Sequence, residues 1–114
     1  MGLTFADVEI NGRRYYALVD TGFNGEVLVS SKVAKELGLA PVGEAERVLA
    51  DGRKIKVAVA PAKLSLFGES AYVWVEVLES PPFDVLVGVI ALERLGFAVD
   101  PSSGRIIRVG QLIV

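Results

Sequence analysis

The chain has 114 residues, 52% of them hydrophobic, with a formal net charge of −2. That fits one domain, residues 1–114, with a small core, and argues against disorder. Cysteine and histidine are both absent, which excludes disulfides, thiol nucleophiles, Ser-His and Cys-His pairs and nearly all zinc chemistry. Any catalysis must rest on carboxylates, lysine, tyrosine or hydroxyls, with no metal or other cofactor called for. No long basic run points to nucleic acid, and no apolar stretch reaches the ~18 residues needed to cross a bilayer. The N-terminus lacks the basic start and apolar run of a signal peptide. The expectation is a soluble, cytoplasmic protein with no nucleic-acid or membrane partner.

Val8 and Ile10 alternate with Asp7 and Glu9, as in a half-buried strand. Asn11-Gly12 is a strong hairpin signal, because both turn positions need positive φ. The chain returns through 13–19 on the apolar run Tyr15-Tyr16-Ala17-Leu18-Val19. A loop with two glycines follows, Asp20-Thr21-Gly22-Phe23-Asn24-Gly25, then a short strand, Val27-Leu28-Val29. Ser30-Ser31 can cap a helix over 32–37, with Gly38 placed for the C-terminal cap. Residues 48–50 and 53–59 around Asp51-Gly52 read as a second hairpin. Residues 62–66 and 72–78 read as two strands around Gly68. In the latter, Val73, Val75 and Val77 face one way while Tyr72, Trp74 and Glu76 face the other. Pro81-Pro82 breaks the chain before a buried strand at 84–87. A short helix at 90–95 ends at Gly96, and 97–99 and 105–109 form a last hairpin around Pro101-Ser102-Ser103-Gly104. Strands dominate, with two short helices. There is a faint internal echo: Leu18-Val19-Asp20-Thr21-Gly22 and Leu86-Val87-Gly88 each lead into a short helix ending Leu-Gly-apolar.

Asp20 follows an apolar run and precedes Thr-Gly. A carboxylate at the edge of a core needs partners, and Gly22 lets another backbone approach. Taken alone, Asp-Thr-Gly also reads as a plain turn after a strand. The wider pattern resembles the retropepsin-like aspartic peptidases from about Val8 to Ile107. The residues that carry the resemblance are Ala17-Leu18-Val19-Asp20-Thr21-Gly22-Phe23-Asn24-Gly25, a hairpin tip at Asp51-Gly52, and Val85-Leu86-Val87-Gly88. After the last come a short helix and Leu95-Gly96-Phe97-Ala98-Val99-Asp100. The apolar-apolar-Gly segment falls about 60–70 residues after the Asp-Thr-Gly segment, and order and spacing match the family.

The resemblance implies a mostly β, single-domain acid-protease barrel with one or two short helices, closed by homodimerisation. It implies Asp20 as the catalytic aspartate, with Thr21 locking two active loops across a two-fold axis. Gly22 would present its carbonyl to the substrate backbone, and Phe23 and Asn24 would border the peptide. Residues 49–57 would be a flap with Ala50, Asp51 and Gly52 at its tip, and Gly88 would allow close packing beneath the loop. Phe23 is bulkier than the small residue many relatives carry there, so it either lines the cleft or crowds it. The Asp51-Gly52 tip is not a glycine-rich run.

Chemistry fits this reading. Two carboxylates about 3 Å apart share one proton, so one serves as base on water and the other as acid, without histidine or metal. A chain this short carries one such loop, and a C2 dimer supplies the second Asp20. A polypeptide substrate would add as an extended strand. The tail 111–114 is expected to pair across the dimer. Trp74 is expected in the core or at a dimer surface, and Arg13, Arg14, Arg47, Arg53 and Lys54 as solvated strand charges. Two alternatives stay open. One is a non-catalytic peptide-binding or dimerisation module on the same fold. The other is phosphoryl transfer on an aspartate, which calls for more carboxylates around magnesium and a larger α/β body. A nucleotide loop at Gly22 to Gly25 lacks basic surroundings.

Overall fold

A computed structural model describes residues 3–109. The expected tail pairing at 111–114 lies outside them. Strand β1 (Thr4–Ile10) turns through Asn11 and Gly12 into β2 (Arg13–Asp20). Both turn residues have positive φ, 51° and 81°, the geometry that makes Asn-Gly a tight hairpin. Then come β3 (Val27–Ser30), α1 (Ser31–Leu37), β4 (Gly43–Val48), β5 (Lys54–Leu66) and β6 (Glu69–Leu78). The chain ends in β7 (Val85–Gly88), α2 (Val89–Arg94), β8 (Phe97–Val99) and β9 (Ile106–Arg108).

Six strands close on themselves in the order β1-β2-β7-β3-β6-β5, and β5 returns to β1 through Glu9↔Ser65 and Ile10↔Leu64. Strand β4 hangs on β5 outside the ring. A closed sheet removes exposed edges and encloses one core. Period-two alternation turns Ala6, Val8 and Ile10 of β1, Ala17 and Val19 of β2, and Val85 and Val87 of β7 inward. Ile10, Leu64 and Leu92 are fully buried, each contributing roughly 1.5–3 kcal/mol. The protein is therefore mostly β with two short helices, as the sequence implies.

The helices follow their caps. Ser30 sits at the N-cap of α1, its side chain accepting the Val33 N–H, and Gly38 ends the helix in the left-handed region. Helix α2 starts from Gly88 without a side-chain cap. Two sequence expectations change. Strand β5 runs unbroken from Lys54 to Leu66, through Pro61. Pro61 lies beyond the last β4 partner, Val59, and before Lys63, where β1 arrives through the Asn11 N–H. On the other side it faces Trp74, whose N–H goes to the Glu26 carboxylate. A residue without an N–H is tolerated in such a gap. Strand β4 also begins earlier than expected, at Gly43 rather than 48.

Candidate active site

The loop at 20–25 is held from below. Strands β2 and β7 run parallel in the register Leu18↔Leu86, Val19↔Val87, Asp20↔Gly88, so Gly88 lies directly beside Asp20. A Cβ on Gly88 would fall well under 3.0 Å from the Gly25 carbonyl oxygen and 3.1 Å from both the Phe23 Cδ2 and the Phe23 carbonyl oxygen. Only glycine allows that approach. The Gly88 N–H also donates to the Glu26 carbonyl at 2.8 Å. At the start of the loop, the Gly22 N–H donates to Asp20 Oδ1 at 2.9 Å and the Phe23 N–H to the Asp20 carbonyl at 3.2 Å. Asp20 is half-buried, while Thr21, Gly22 and Asn24 are exposed.

Asp20 shares its strand face with Leu18 and Tyr16. Leu18 and Leu28 are buried, 7% and 8% exposed, yet lie outside the barrel core. The register joins Phe5, Leu18, Leu86, Leu28 and Glu76 into one row across five strands on this outer face. Next to its Phe5 end, Tyr16 stacks on Phe5 at 5.0 Å and 10°, and Phe83 meets Phe5 edge-on at 5.6 Å. The other end of the row is charged. Glu76 is buried and takes Arg47 of β4 on both oxygens: Nε to Oε1 at 2.6 Å, and Nη2 to Oε2. This hydrogen bonding holds the Arg47 pKa above its ordinary value. The Arg47 guanidinium carbon also lies 5.6 Å from the Phe23 ring centre. Arg47 is therefore not the solvated strand charge the sequence suggests. Arg53 and Lys54 do fit that description, pairing with Asp51 and Glu46 at the surface.

Two hollows flank the loop. One, about 480 Å³, opens at Asp20 and Thr21 between Leu3, Thr4, Pro101 and Gly104. Asp100 also lines it. Its carboxylate already accepts the Ser102 N–H and the Ser102 and Ser103 hydroxyls. These bonds, the Ser102 N–H foremost, hold its pKa below the usual carboxylate range. Asp100 is thus a turn-fixing anion, a poor proton donor for chemistry at Asp20. The other hollow, about 440 Å³, runs from Asn24 and Gly25 past Arg47 to Trp74 and Ile90. Trp74 is 48% exposed on its rim, so it is not a core residue.

The expected flap is the β4–β5 hairpin. Its turn is closed by the Leu49 N–H on the Arg53 carbonyl and the Gly52 N–H on the Leu49 carbonyl. Asp51 accepts from the Arg53 N–H and guanidinium, backbone first, and these bonds lower its pKa. Ala50, Asp51 and Gly52 are exposed. Among the described residues no hydrogen bond joins this tip to the 20–25 loop. The hairpin reaches the loop through Arg47 and Phe23 instead. Phe23, open to two readings in the sequence, packs over Gly25 and Gly88. Sequence reading missed Glu76 as a partner of Arg47. Its signal was a lone carboxylate among the apolar residues of β6. Among the described residues no cluster of His, Cys, Asp or Glu could hold a metal, and no helix is long and apolar enough to cross a membrane.

A family model described as "gag-polyprotein putative aspartyl protease" matches residues 6–94. Among solved structures, the chain is similar to the retroviral protease-like domain of Ddi1 from Leishmania major. Identity is 18% and the TM-score 0.64, over 95% of this chain and 86% of that one. It is also similar to a retropepsin-like aspartic protease from Rickettsia conorii, at 22% identity and a TM-score of 0.68, over 87% of this chain and 77% of that one. At these identities the likeness concerns the fold. The comparison with curated proteins gives no match. The matched segment takes in the Asp20 loop, the β4–β5 hairpin and Gly88, and by that match the chain belongs to the retropepsin-like aspartic proteases.

Proposed function

We propose that this protein is an aspartic endopeptidase that works as a homodimer, with Asp20 as the one catalytic carboxylate of each subunit. One observation carries the reading. Asp20 ends an apolar strand on a glycine-packed loop, with one oxygen held by the Gly22 N–H and its side chain on an open face. Asp100, the other carboxylate in the same hollow, is committed to its own turn. The second acid therefore comes from a second copy, docked so that Thr21 and the hollow beside Asp20 meet their counterparts.

In the dimer the two Asp20 carboxyls share one proton, since both cannot ionise at close range. The ionised one takes a proton from water as the oxygen attacks the scissile carbonyl. The protonated one supports the developing oxyanion, and a proton then passes to the amide nitrogen as the C–N bond breaks. The peptide lies extended, its backbone beside Gly22 and Asn24 and under the hairpin tip at Ala50, Asp51 and Gly52. The floor of Leu18, Leu86 and Leu28, with the Phe5–Tyr16 stack beyond it, favours apolar and aromatic side chains near the cleaved bond.

The test is hydrolysis of a mixed peptide library from pH 3 to 7 by mass spectrometry, comparing wild type with Asp20→Asn. Cleavage after large apolar residues that disappears in the variant is expected. Cleavage that survives Asp20→Asn overturns the assignment. A dimer that binds peptides without cutting them at any pH points to a peptide-binding module instead.

A further inference from the structure

We infer that Arg47 is a positioning residue for this reaction: pinned on Glu76 and laid against Phe23, it fixes the hairpin strand β4 over the cleft. The inference rests on the peptidase reading and adds a working part to it.

Glu76 is the buried charged side chain among the described residues, at 4% exposure. A buried carboxylate is expensive, and an apolar pair of similar volume often serves stability as well or better. Its neighbours in the row, Leu28, Leu86 and Leu18, are apolar. A charge at this place therefore calls for a role other than holding the barrel together. Its partner suggests one. Arg47 stands one residue before the end of β4 and two before Leu49, where the hairpin turn closes. The two-pronged contact fixes the guanidinium plane as well as its distance, which a lysine could not do.

Gly25 shows how closely the parts meet. A Cβ there would collide with Phe23, with Glu76 Oε2 and with Arg47 Nη2, the last at 2.9 Å. The loop carrying Asp20, the wall strand β6 and the hairpin strand β4 thus converge at one glycine. Movement of the hairpin tip is referred to the loop through this junction. Misplacing a closing element by about 1 Å can cost about a hundredfold in rate, and such changes move kcat and KM together.

The experiment separates positioning from mere structure. Arg47→Met leaves Glu76 buried and unpaired, so its melting temperature falls. Arg47→Met/Glu76→Met removes both charges and regains the wild-type melting temperature. The expected result is that the double variant still loses about a hundredfold in kcat/KM, with faster amide hydrogen exchange over 49–53. Recovery of both stability and kcat/KM, or unchanged exchange over 49–53, overturns the inference. Arg47→Lys guards against a double variant that does not fold. It keeps the charge but loses the two-pronged geometry, and full activity in it also overturns the inference. Absence of hydrolysis by wild type overturns the peptidase reading and the catalytic role with it, while hydrogen exchange over 49–53 still tests by itself whether Arg47 fixes the hairpin.

Discussion

Replacing Gly88 by alanine tests how the candidate loop is held. The added Cβ has no direction in which to relax cheaply. It meets the Gly25 carbonyl oxygen well under 3.0 Å and the Phe23 carbonyl oxygen at 3.1 Å, and both are backbone atoms. Overpacking of this kind costs about 1–3 kcal/mol, and backbone obstacles put Gly88→Ala at the upper end. For a chain of this length, about 3 kcal/mol lowers the melting temperature on the order of 10 °C. Gly22→Ala is the control. Its Cβ meets only Asp20 Oδ1, at 3.4 Å, an ordinary contact, so its stability stays within about 0.5 kcal/mol of wild type. Circular dichroism melts of the two variants and wild type decide the matter. A Gly88→Ala melt within about 2 °C of wild type would refute the close packing of β7 beneath the loop.

Two further outcomes follow from the local geometry. Ser30→Ala removes the acceptor of the Val33 N–H at the start of α1 and should cost about 1 kcal/mol. An unchanged urea midpoint would show that this cap is not used. Asp51 has a folded pKa below its ordinary value of 3.8, because it accepts from the Arg53 backbone and guanidinium. Its ionised form therefore stabilises the hairpin turn above that value, and the effect is lost as pH falls through the lower, folded pKa. An NMR titration of the Asp51 carboxyl should show the low midpoint, and one at or above 3.8 would contradict the turn geometry.

Much of the fold was legible because it rests on local rules. Asn11-Gly12, Ser30 and Gly38 announce a turn, an N-cap and a C-cap, and each is found there. The alternation in β6 correctly put Tyr72, Trp74 and Glu76 on one face. It could not tell that this face is covered at Glu76 and open at Trp74, since the covering strand β4 lies about 30 residues away in the chain. Arg47 was misread for the same reason, because an exposed-strand pattern says nothing about a partner on another strand. The sequence reading placed 53–59 and 62–66 in separate strands, but β5 runs on through Pro61, because the gap between β4 and β1 is visible only once the barrel closes. For the candidate site, the Asp20 loop and Gly88 were legible together through the Leu-Val echo. In the barrel that echo becomes a parallel register.

That register also bears on control. Two arms of the chain reach the same row with the same Leu-Val lead, and one ends in a carboxylate while the other ends in hydrogen. An aspartate at 88 would drive its Cβ into the Gly25 carbonyl, so a single substitution cannot complete a two-carboxyl centre within one copy. On the proposed reading, activity is then a property of encounter. Freshly made, dilute chains stay harmless to their neighbours, the concentration of active dimer in a dilute solution rises with the square of chain concentration, and whatever gathers copies together serves as the trigger.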